Sequence, residues 1–278
     1  MPSPSSRRAL AALGVAVALT SGCDLVTGAA PAPVTGPPGS ALETLATVDV
    51  RGRGPRTGYE RDEYGDGWVD TDRNGCDTRN DVLARDLTGE TFVPGSRDCV
   101  VATGTLDDPY SGRTIAFRRG EGTSEAVQID HVVALSDAWQ KGARQWDDAR
   151  RTQFANDPLN LLAVDGPLNM QKGDGDAATW LPPDRSYRCA YVARQVAVKA
   201  TYGLWVTQAE RDAMAAVLGT CPGEPLPGGQ PLPAQETPQG PFPDCAAARA
   251  AGAAPLREGE PGWNPDLDGD GDGVGCES

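Results

Sequence analysis

The chain has 278 residues and a formal net charge of −14 at pH 7. This acidity provides no long-range attraction for a polyanion, so a nucleic-acid substrate would have to be held by local basic groups and a metal. The sequence also contains no Gly-x-Ser-x-Gly stretch, so nothing in it supports a serine hydrolase.

The first predicted element is a lipoprotein signal peptide over residues 1–23. Arg7 and Arg8 form its positive start, and the apolar run of residues 9–19 is too short to span a bilayer in the mature protein. The segment that ends at Cys23 resembles a bacterial lipobox, so we expect lipidation of Cys23 in preference to plain secretion. The mature protein is therefore predicted to be extracytoplasmic and to meet the membrane through a lipid anchor only.

Two segments of biased composition then divide the chain. Residues 24–45 are predicted to form a flexible tether, because residues 24–40 are rich in Ala, Pro and Gly and carry almost no charge. Residues 222–240 contain six prolines and are predicted to form a semi-extended linker. Residues 46–221, between these segments, are long enough for one domain with a sizeable core.

Within this domain the sequence predicts an α+β fold. Short strands are predicted at residues 113–117, 125–130 and 159–164, and helices at residues 143–154, 187–201 and 208–218. The last helix opens with the capping box Thr207-x-x-Glu210 and stops at Gly219. Trp139 and Trp146 are expected to anchor the core and not to bind a ligand.

The cysteines are predicted to form disulfides. Seven cysteines become six once Cys23 is set aside for lipid, and an even number suits an exported chain. No pair has the two-to-four-residue spacing of a zinc site. Sequence neighbourhood favours three bridges, which are Cys76 with Cys99, Cys189 with Cys221, and Cys245 with Cys276.

His131 is the single histidine and the only imidazole available for chemistry. With an ordinary pKa near 6.5, it suits the deprotonation of water at neutral pH. Asn160 is expected to hold the imidazole from the opposite strand, through its amide or its backbone carbonyl. Asp130 and Asn169 offer hard oxygen ligands, which suit Mg²⁺ or Mn²⁺. Taken singly, the histidine reads as a structural partner of the backbone, and the asparagines read as turn residues.

Two basic side chains are candidates for contact with substrate phosphates. Lys172 follows Asn169 by three residues, about one helical turn, where it could meet a phosphate as a point charge. Arg151 is the second candidate. The alternative for such basic groups is a solvated surface.

The order and spacing of Asp130-His131, Asn160 and Asn169 resemble those of the HNH, or ββα-metal, nucleases. Further strings resemble the C-terminal nuclease domain of the GmrSD-type restriction enzymes and its secreted relatives, namely Gly75-Cys76-Asp77-Thr78-Arg79-Asn80-Asp81, Phe154-Ala155-Asn156-Asp157-Pro158 and Trp180-Leu181-Pro182-Pro183. The resemblance implies a ββα-metal core with additional helices and phosphodiester hydrolysis of nucleic acid, with DNA as the first expectation. It also implies catalytic roles for His131 and Asn160 and metal binding by Asp130 and Asn169. We expect a monomer.

Residues 241–278 are predicted to form a small calcium-binding module. The D-x-D-x-D-G-x₅-E pattern of an EF-hand loop starts at Asp266 and ends at Glu277. The same stretch read from Asp268, together with Phe242-Pro243-Asp244-Cys245, resembles the excalibur domain. So short a segment cannot hold a core unaided, and the expected sources of stability are the Cys245–Cys276 bridge and Ca²⁺. The predicted ligands are Asp266, Asp268, Asp270, Asp272 and Glu277. A disordered acidic tail is the alternative.

Together these patterns predict an exported HNH endonuclease with a C-terminal calcium module. The alternative is a non-catalytic, calcium-dependent cell-surface lipoprotein, in which the nuclease-like fold is a scaffold and the calcium module docks to cell-wall or matrix polymers. The presence of Asp130, His131, Asn160 and Asn169 favours the enzyme. The acidic surface favours the binding protein.

Overall fold

The computed structural model describes residues 35–228, 241–250, 254–259 and 262–277. The signal peptide with Cys23, residues 24–34 of the predicted tether and residues 229–240 of the predicted linker lie outside the described residues. The helices are α1 Ala41–Thr47, α2 Thr78–Asp86, α3 Leu135–Trp139, α4 Asp148–Ala155, α5 Gly166–Lys172, α6 Arg188–Tyr202, α7 Gln208–Leu218 and α8 Cys245–Ala250. The strands are β1 Leu87–Phe92, β2 Val101–Asp107, β3 Thr114–Arg118, β4 Val127–His131, β5 Leu161–Asp165, β6 Leu256–Arg257 and β7 Val274–Gly275.

The strands of the larger domain form two antiparallel sheets, and the fold is α+β as predicted. β1, β2 and β3 make a three-stranded meander, whereas β4 and β5 pair only with each other. In the second sheet Asp130 pairs with Leu162 and His131 with Leu161. Helix α5 begins directly after β5, so two antiparallel strands and a helix carry the central sequence motif.

Strand β5 is buried on both faces. Because successive side chains of a strand point to opposite faces, its residues separate into two sets. Leu161 and Ala163 pack in the cluster that includes α2 and the meander, and Leu162 and Val164 pack in the cluster that includes α1, α6 and α7. The β4–β5 hairpin therefore lies between two hydrophobic cores, and this burial fixes the position of its ends.

Helix α5 is held at its start by polar contacts. Asp165 is the N-cap, and its carboxylate accepts a hydrogen bond from the amide of Leu168 at 2.9 Å. The same carboxylate forms an ion pair with Arg113 at 2.7 Å. Gly166 comes so close to the carbonyl oxygen of Glu125 that a Cβ would lie 2.0 Å from that oxygen. A larger residue would therefore push α5 away from the 3₁₀ turn Ser124–Ala126, which precedes β4.

The boundaries predicted for the domain need correction at both ends. The predicted tether reached residue 45, but Ala41, Leu42 and Leu45 belong to α1 and are buried in the core. Ser40 caps this helix by accepting from the amide of Glu43, in the S-x-x-E pattern of a helix start. The predicted linker began at residue 222, but Leu226 is 2% exposed, and residue 224 accepts a hydrogen bond from the amide of Ala41. In both segments the burial of apolar residues holds the chain in the domain, although the composition predicted a tether and a linker.

The predicted elements otherwise agree with the structure to within a few residues, with one break. The helix predicted over residues 143–154 is a 3₁₀ turn, Ala143–Gln145, followed by α4. Trp146 is extended between them, and the Asp147 carboxylate caps α4 by accepting from the amide of Arg150. Trp139 is buried as expected, and Trp146 packs against the same cluster while partly buried. Strands β1, β2, β6 and β7 and helices α1, α2, α3 and α8 were not predicted.

Three disulfides join the pairs that sequence neighbourhood favours. They are Cys76–Cys99, Cys189–Cys221 and Cys245–Cys276. The last lies in the C-terminal module, where α8 and the short β6–β7 pair surround a small cluster formed by Phe242, Ala248, Leu256, Leu267 and Cys276. Among the described residues, the structure contains no helix long and apolar enough to cross a membrane.

Candidate active site

His131 lies at the end of β4 and is 8% exposed. Its Nε2 is 2.8 Å from the carbonyl oxygen of Ala155. A carbonyl only accepts, so Nε2 carries the proton and Nδ1 keeps its lone pair. The indole of Trp68 stacks on the imidazole at 5.7 Å, with an angle of 6° between the two ring planes. The ring is thus fixed in orientation and in tautomer, with one nitrogen able to accept a proton.

The surroundings of His131 keep it neutral. The pKa of His131 is lowered to about 3, chiefly by burial and also by the charges of Arg61 and Lys172, whereas the hydrogen bond to Ala155 acts in the opposite sense. The ordinary value assumed from the sequence is therefore wrong for the protein alone, because the ring is desolvated. A phosphate anion beside the ring would favour the protonated form and raise the pKa.

Trp68 is a site residue that sequence reasoning missed. The segment that carries it is held by Asn156, whose side-chain oxygen accepts from the amide of Val69 at 3.0 Å. The carbonyl of Val69 in turn accepts from the hydroxyl and the amide of Thr78. Asn156 and Thr78 both occur in the strings that resemble the nuclease family, and their joint contact with one loop explains part of those strings.

Asn160 positions the backbone after His131 and not the imidazole. Its side-chain oxygen accepts from the amide of Val133 at 2.8 Å, its side-chain nitrogen donates to the carbonyl of Val133 at 3.3 Å, and its own carbonyl accepts from the amide of Val132 at 2.8 Å. Asn160 is fully buried. The expected contact with the ring is corrected, because the carbonyl of Ala155 takes that place.

Asp130 is buried between a lysine and a tyrosine. Lys172 Nζ lies 2.8 Å from Oδ1, and the hydroxyl of Tyr110 donates to Oδ2 at 2.5 Å. Burial raises the pKa of Asp130, although Lys172 and Tyr110 act to lower it. Each oxygen still has a second lone pair.

The two basic residues expected to meet phosphate are placed otherwise. The ammonium of Lys172 is fully buried and donates to Asp130 and to the carbonyl of His131 at 2.8 Å. The guanidinium of Arg151 donates to the carbonyl oxygens of Glu63 and Trp146 and pairs with Asp148. Both cations are engaged inside the fold, so the expected phosphate contacts are corrected.

One cavity of about 510 Å³ collects the chemically useful groups. Of the residues proposed from the sequence, Asp130, His131 and Asn169 line it, whereas Asn160, Lys172 and Arg151 do not. Asn169 donates from its side-chain nitrogen to Gln128 at 2.9 Å, and its side-chain oxygen has no hydrogen-bond partner among the described residues. The other side chains that line the cavity include Tyr59, Arg61, Trp68, Arg79 and Met170.

The donors in this cavity fit a hard cation held mainly by water and substrate. Asp130 and Asn169 offer oxygen ligands on the wall that also carries His131. Of the residues proposed from the sequence, these two alone offer oxygen ligands there, and Lys172 already balances the charge of the carboxylate. Mg²⁺ commonly keeps several waters and uses one or two carboxylates together with phosphate oxygens.

Two other sets of oxygen donors lie outside this cavity. In the C-terminal module, carboxylate oxygens of Asp268, Asp270 and Asp272 lie within 4.8 Å of one another, and this group does not include Asp266 or Glu277. Asp268 accepts from the amides of residues 271 and 273, so the structure agrees with the loop read from Asp268. The second set lies before α2, where Asp70, Asp72, Asn74 and Asp81 follow the spacing D-x-D-x-N-G-x₅-D, which sequence reasoning missed.

Two family models match parts of the chain. Residues 77–217 match the family model of the GmrSD restriction endonucleases, C-terminal domain, and residues 242–277 match the Excalibur calcium-binding domain. The chain is also similar to an uncharacterized secreted protein of Arthroderma benhamiae, with 40% identity over 200 residues that cover 69% of this chain and 93% of the relative. No solved structure matches. The chain therefore belongs to the family of the GmrSD restriction endonuclease C-terminal domains and carries an Excalibur module after it.

Proposed function

We propose that the protein is an exported, metal-dependent HNH endonuclease that hydrolyses phosphodiester bonds of nucleic acid, with DNA as the expected substrate. The observation that carries the proposal is the convergence of three residues on one cavity, with Asp130 and His131 at the end of β4 and Asn169 on α5. The family match, which covers all three residues, supports it.

His131 is the general base in this proposal. Its Nδ1 takes a proton from the attacking water, while the Nε2 proton stays on the hydrogen bond to Ala155. The negative charge of the substrate raises the pKa of the ring as the phosphate enters, so the base gains strength where it is needed. Trp68 on one face and Ala155 at one edge prevent the imidazole from turning away.

Asp130 and Asn169 are the proposed ligands of Mg²⁺ or Mn²⁺. A bound cation of this kind neutralises the phosphate and stabilises the departing 3′-oxygen. Lys172 and Tyr110 hold the Asp130 carboxylate in one orientation, so the ligand is preorganised. Asn160 contributes by fixing the turn after His131.

The proposed setting is outside the cytoplasm. Three disulfides require an oxidising compartment, and the similar protein of Arthroderma benhamiae is named as secreted. Lipidation of Cys23 after signal cleavage stays part of the proposal. So does calcium binding by the module of residues 241–278, with Asp268, Asp270 and Asp272 as its first ligands. The proposed domains are residues 40–226 and 241–278.

The test is incubation of the purified mature protein with plasmid, single-stranded DNA and RNA, in Mg²⁺ or in EDTA. Cleavage in Mg²⁺ that stops in EDTA, and that His131→Ala reduces by about 10² to 10⁴, supports the proposal. The His131→Ala protein must retain a cooperative unfolding transition, so that loss of activity reports chemistry. Absence of cleavage of all three substrates would favour the non-catalytic cell-surface protein.

A further inference from the structure

Most cations near the core of the larger domain are already paired. Lys141, Lys172 and Lys199 are buried in ion pairs, and Arg113 and Arg151 also contact carboxylates. Two arginines in the His131 cavity differ from these. Neither the Arg61 side chain nor the Arg79 side chain has a carboxylate within 4 Å or a hydrogen bond to any described residue, although both line the cavity.

Arg79 stands in an unfavourable place for a cation. It is half-buried at the second position of α2, where the positive end of the helix dipole opposes its charge. Burial, together with the charge of Arg119, lowers the pKa of Arg79, and Asp77 offsets only part of this effect. Arg119 itself donates to the carbonyl of Val101 and to Asn80, and these acceptors carry no compensating charge.

Arg61 lies on a different segment of the same cavity. It begins the 3₁₀ helix Arg61–Tyr64, which Tyr64 fixes by burying its ring and donating to the carbonyl of Leu135 at 2.8 Å. Arg61 is exposed and close enough to His131 to act on its charge. The cavity therefore has two guanidinium groups from separate elements, and none of its lining carboxylates, Glu125, Asp130 and Asp174, lies within 4 Å of either group.

We propose that Arg61 and Arg79 bind backbone phosphates of the nucleic-acid strand whose scissile bond lies at His131. This assignment rests on the proposed function and replaces Lys172 and Arg151 as the phosphate-binding residues. A guanidinium matches a phosphate with two parallel hydrogen bonds, and a half-buried unpaired cation gains most when such an anion arrives. In a chain with a net charge of −14, these two local groups supply the attraction that the surface does not.

A structural role for Arg79 makes a different prediction. An arginine that stabilises the fold loses stability when it is replaced, whereas an unpaired cation opposed by the helix dipole does not. Arg79→Met retains an apolar stem of similar length, so the unfolding temperature of this variant should equal or exceed that of the wild type. Stability therefore separates the two roles independently of activity.

The experiment measures binding without cleavage. The mature full-length chain is titrated in EDTA against fluorescein-labelled single-stranded and duplex DNA, and fluorescence anisotropy is followed from low to physiological salt. The variants are Arg61→Met, Arg79→Met, Arg79→Lys and the double methionine variant. Arg144→Met is the matched control, because Arg144 is also exposed and without an ion pair among the described residues but does not line the cavity.

Each methionine variant should bind at least about tenfold more weakly at low salt. The slope of log K against log salt should fall by about 0.7 to 0.9 for each arginine removed, whereas Arg79→Lys and Arg144→Met should keep the wild-type slope. The inference is overturned if the wild type does not bind, if both methionine variants bind like Arg144→Met, or if Arg79→Met loses stability without a change in slope. A wild-type chain that binds in this manner but cuts no substrate would refute the nuclease and leave the arginine assignment standing.

Discussion

Replacement of Lys141 by methionine should destabilise the protein severely, because this lysine is the centre of a buried charge network. Its ammonium is fully buried and lies 2.6 Å from Asp137, 2.9 Å from Asp176 and 2.6 Å from Glu210. Lys199 contacts Asp137 and Glu210, and the half-exposed Arg53 contacts Asp137 and Asp176. Three cations thus balance three anions. Lys141→Met leaves one buried negative charge without compensation.

The expected loss follows from that imbalance. Removal of one partner of a buried ion pair costs about 3 to 5 kcal/mol. For a domain of this size, each kcal/mol lowers the unfolding temperature by about 2 to 4 °C, so a decrease of about 6 to 20 °C is expected. Thermal unfolding followed by circular dichroism, with a urea titration beside it, measures the change.

Two further variants serve as controls for the Lys141→Met result. Asp49→Asn removes the exposed pair with Arg51, in which both side chains are at least 60% exposed, and should cost at most about 1 kcal/mol. Lys141→Met combined with Asp176→Asn restores neutrality and should be more stable than Lys141→Met alone. An unfolding temperature for Lys141→Met within 2 to 3 °C of the wild type, or a double variant less stable than the single one, would refute the reasoning.

The remaining predictions concern the metal site, the loss of stability at low pH, a disulfide and the calcium module. Asp130→Asn and Asn169→Ala should each raise the Mg²⁺ concentration needed for half-maximal cleavage, which a metal titration measures. Because the pKa of His131 is depressed in the folded state, the unfolded chain binds a proton below about pH 6.5 and the folded chain does not. The free energy of unfolding should therefore decrease as the pH is lowered through that range, by roughly 2 kcal/mol at pH 5. Urea titrations of His131→Gln should show a flatter profile, and identical profiles would contradict the pKa. Loss of the Cys76–Cys99 bridge, which spans 23 residues, in a Cys76→Ala/Cys99→Ala variant should cost about 3 kcal/mol in urea unfolding. Calorimetry should show Ca²⁺ uptake at roughly 10⁻⁴ to 10⁻³ M that Asp268→Asn weakens and Asp266→Asn does not.

The sequence predicted the elements whose signals are local. Helix α7 begins and ends where its capping box and Gly219 indicate, and β4 and β5 follow from short apolar runs. The disulfide pairs followed from neighbourhood along the chain. Helix α1 was missed because prolines and glycines before it resemble a tether, although Ser40 and Glu43 form a helix start of the same kind as that of α7.

The parts of the site that could not be predicted depend on contacts between distant segments. His131 was identified because it is the only histidine, but its partners Trp68 and Ala155 lie 63 and 24 positions away. Lys172 was assigned to phosphate from its helical spacing to Asn169. This assignment failed because spacing shows which side of a helix a residue occupies but not how deeply it is buried in the fold. The residue is fully buried, and only the tertiary structure shows that Asp130 is its partner.

The distribution of cations connects the stability of this domain with its proposed substrate. Buried carboxylates are neutralised by Lys141, Lys172 and Lys199. If these lysines bound a substrate phosphate instead, those carboxylates would be left unpaired in the core. The chain is strongly acidic, so a strand of nucleic acid meets net repulsion at long range and attraction only within the cavity of His131. Association should consequently be slow and weakly dependent on salt compared with that of a basic nuclease. Selection of substrate then depends on whether a phosphate can reach Arg61 and Arg79, which favours strands flexible enough to enter the cavity.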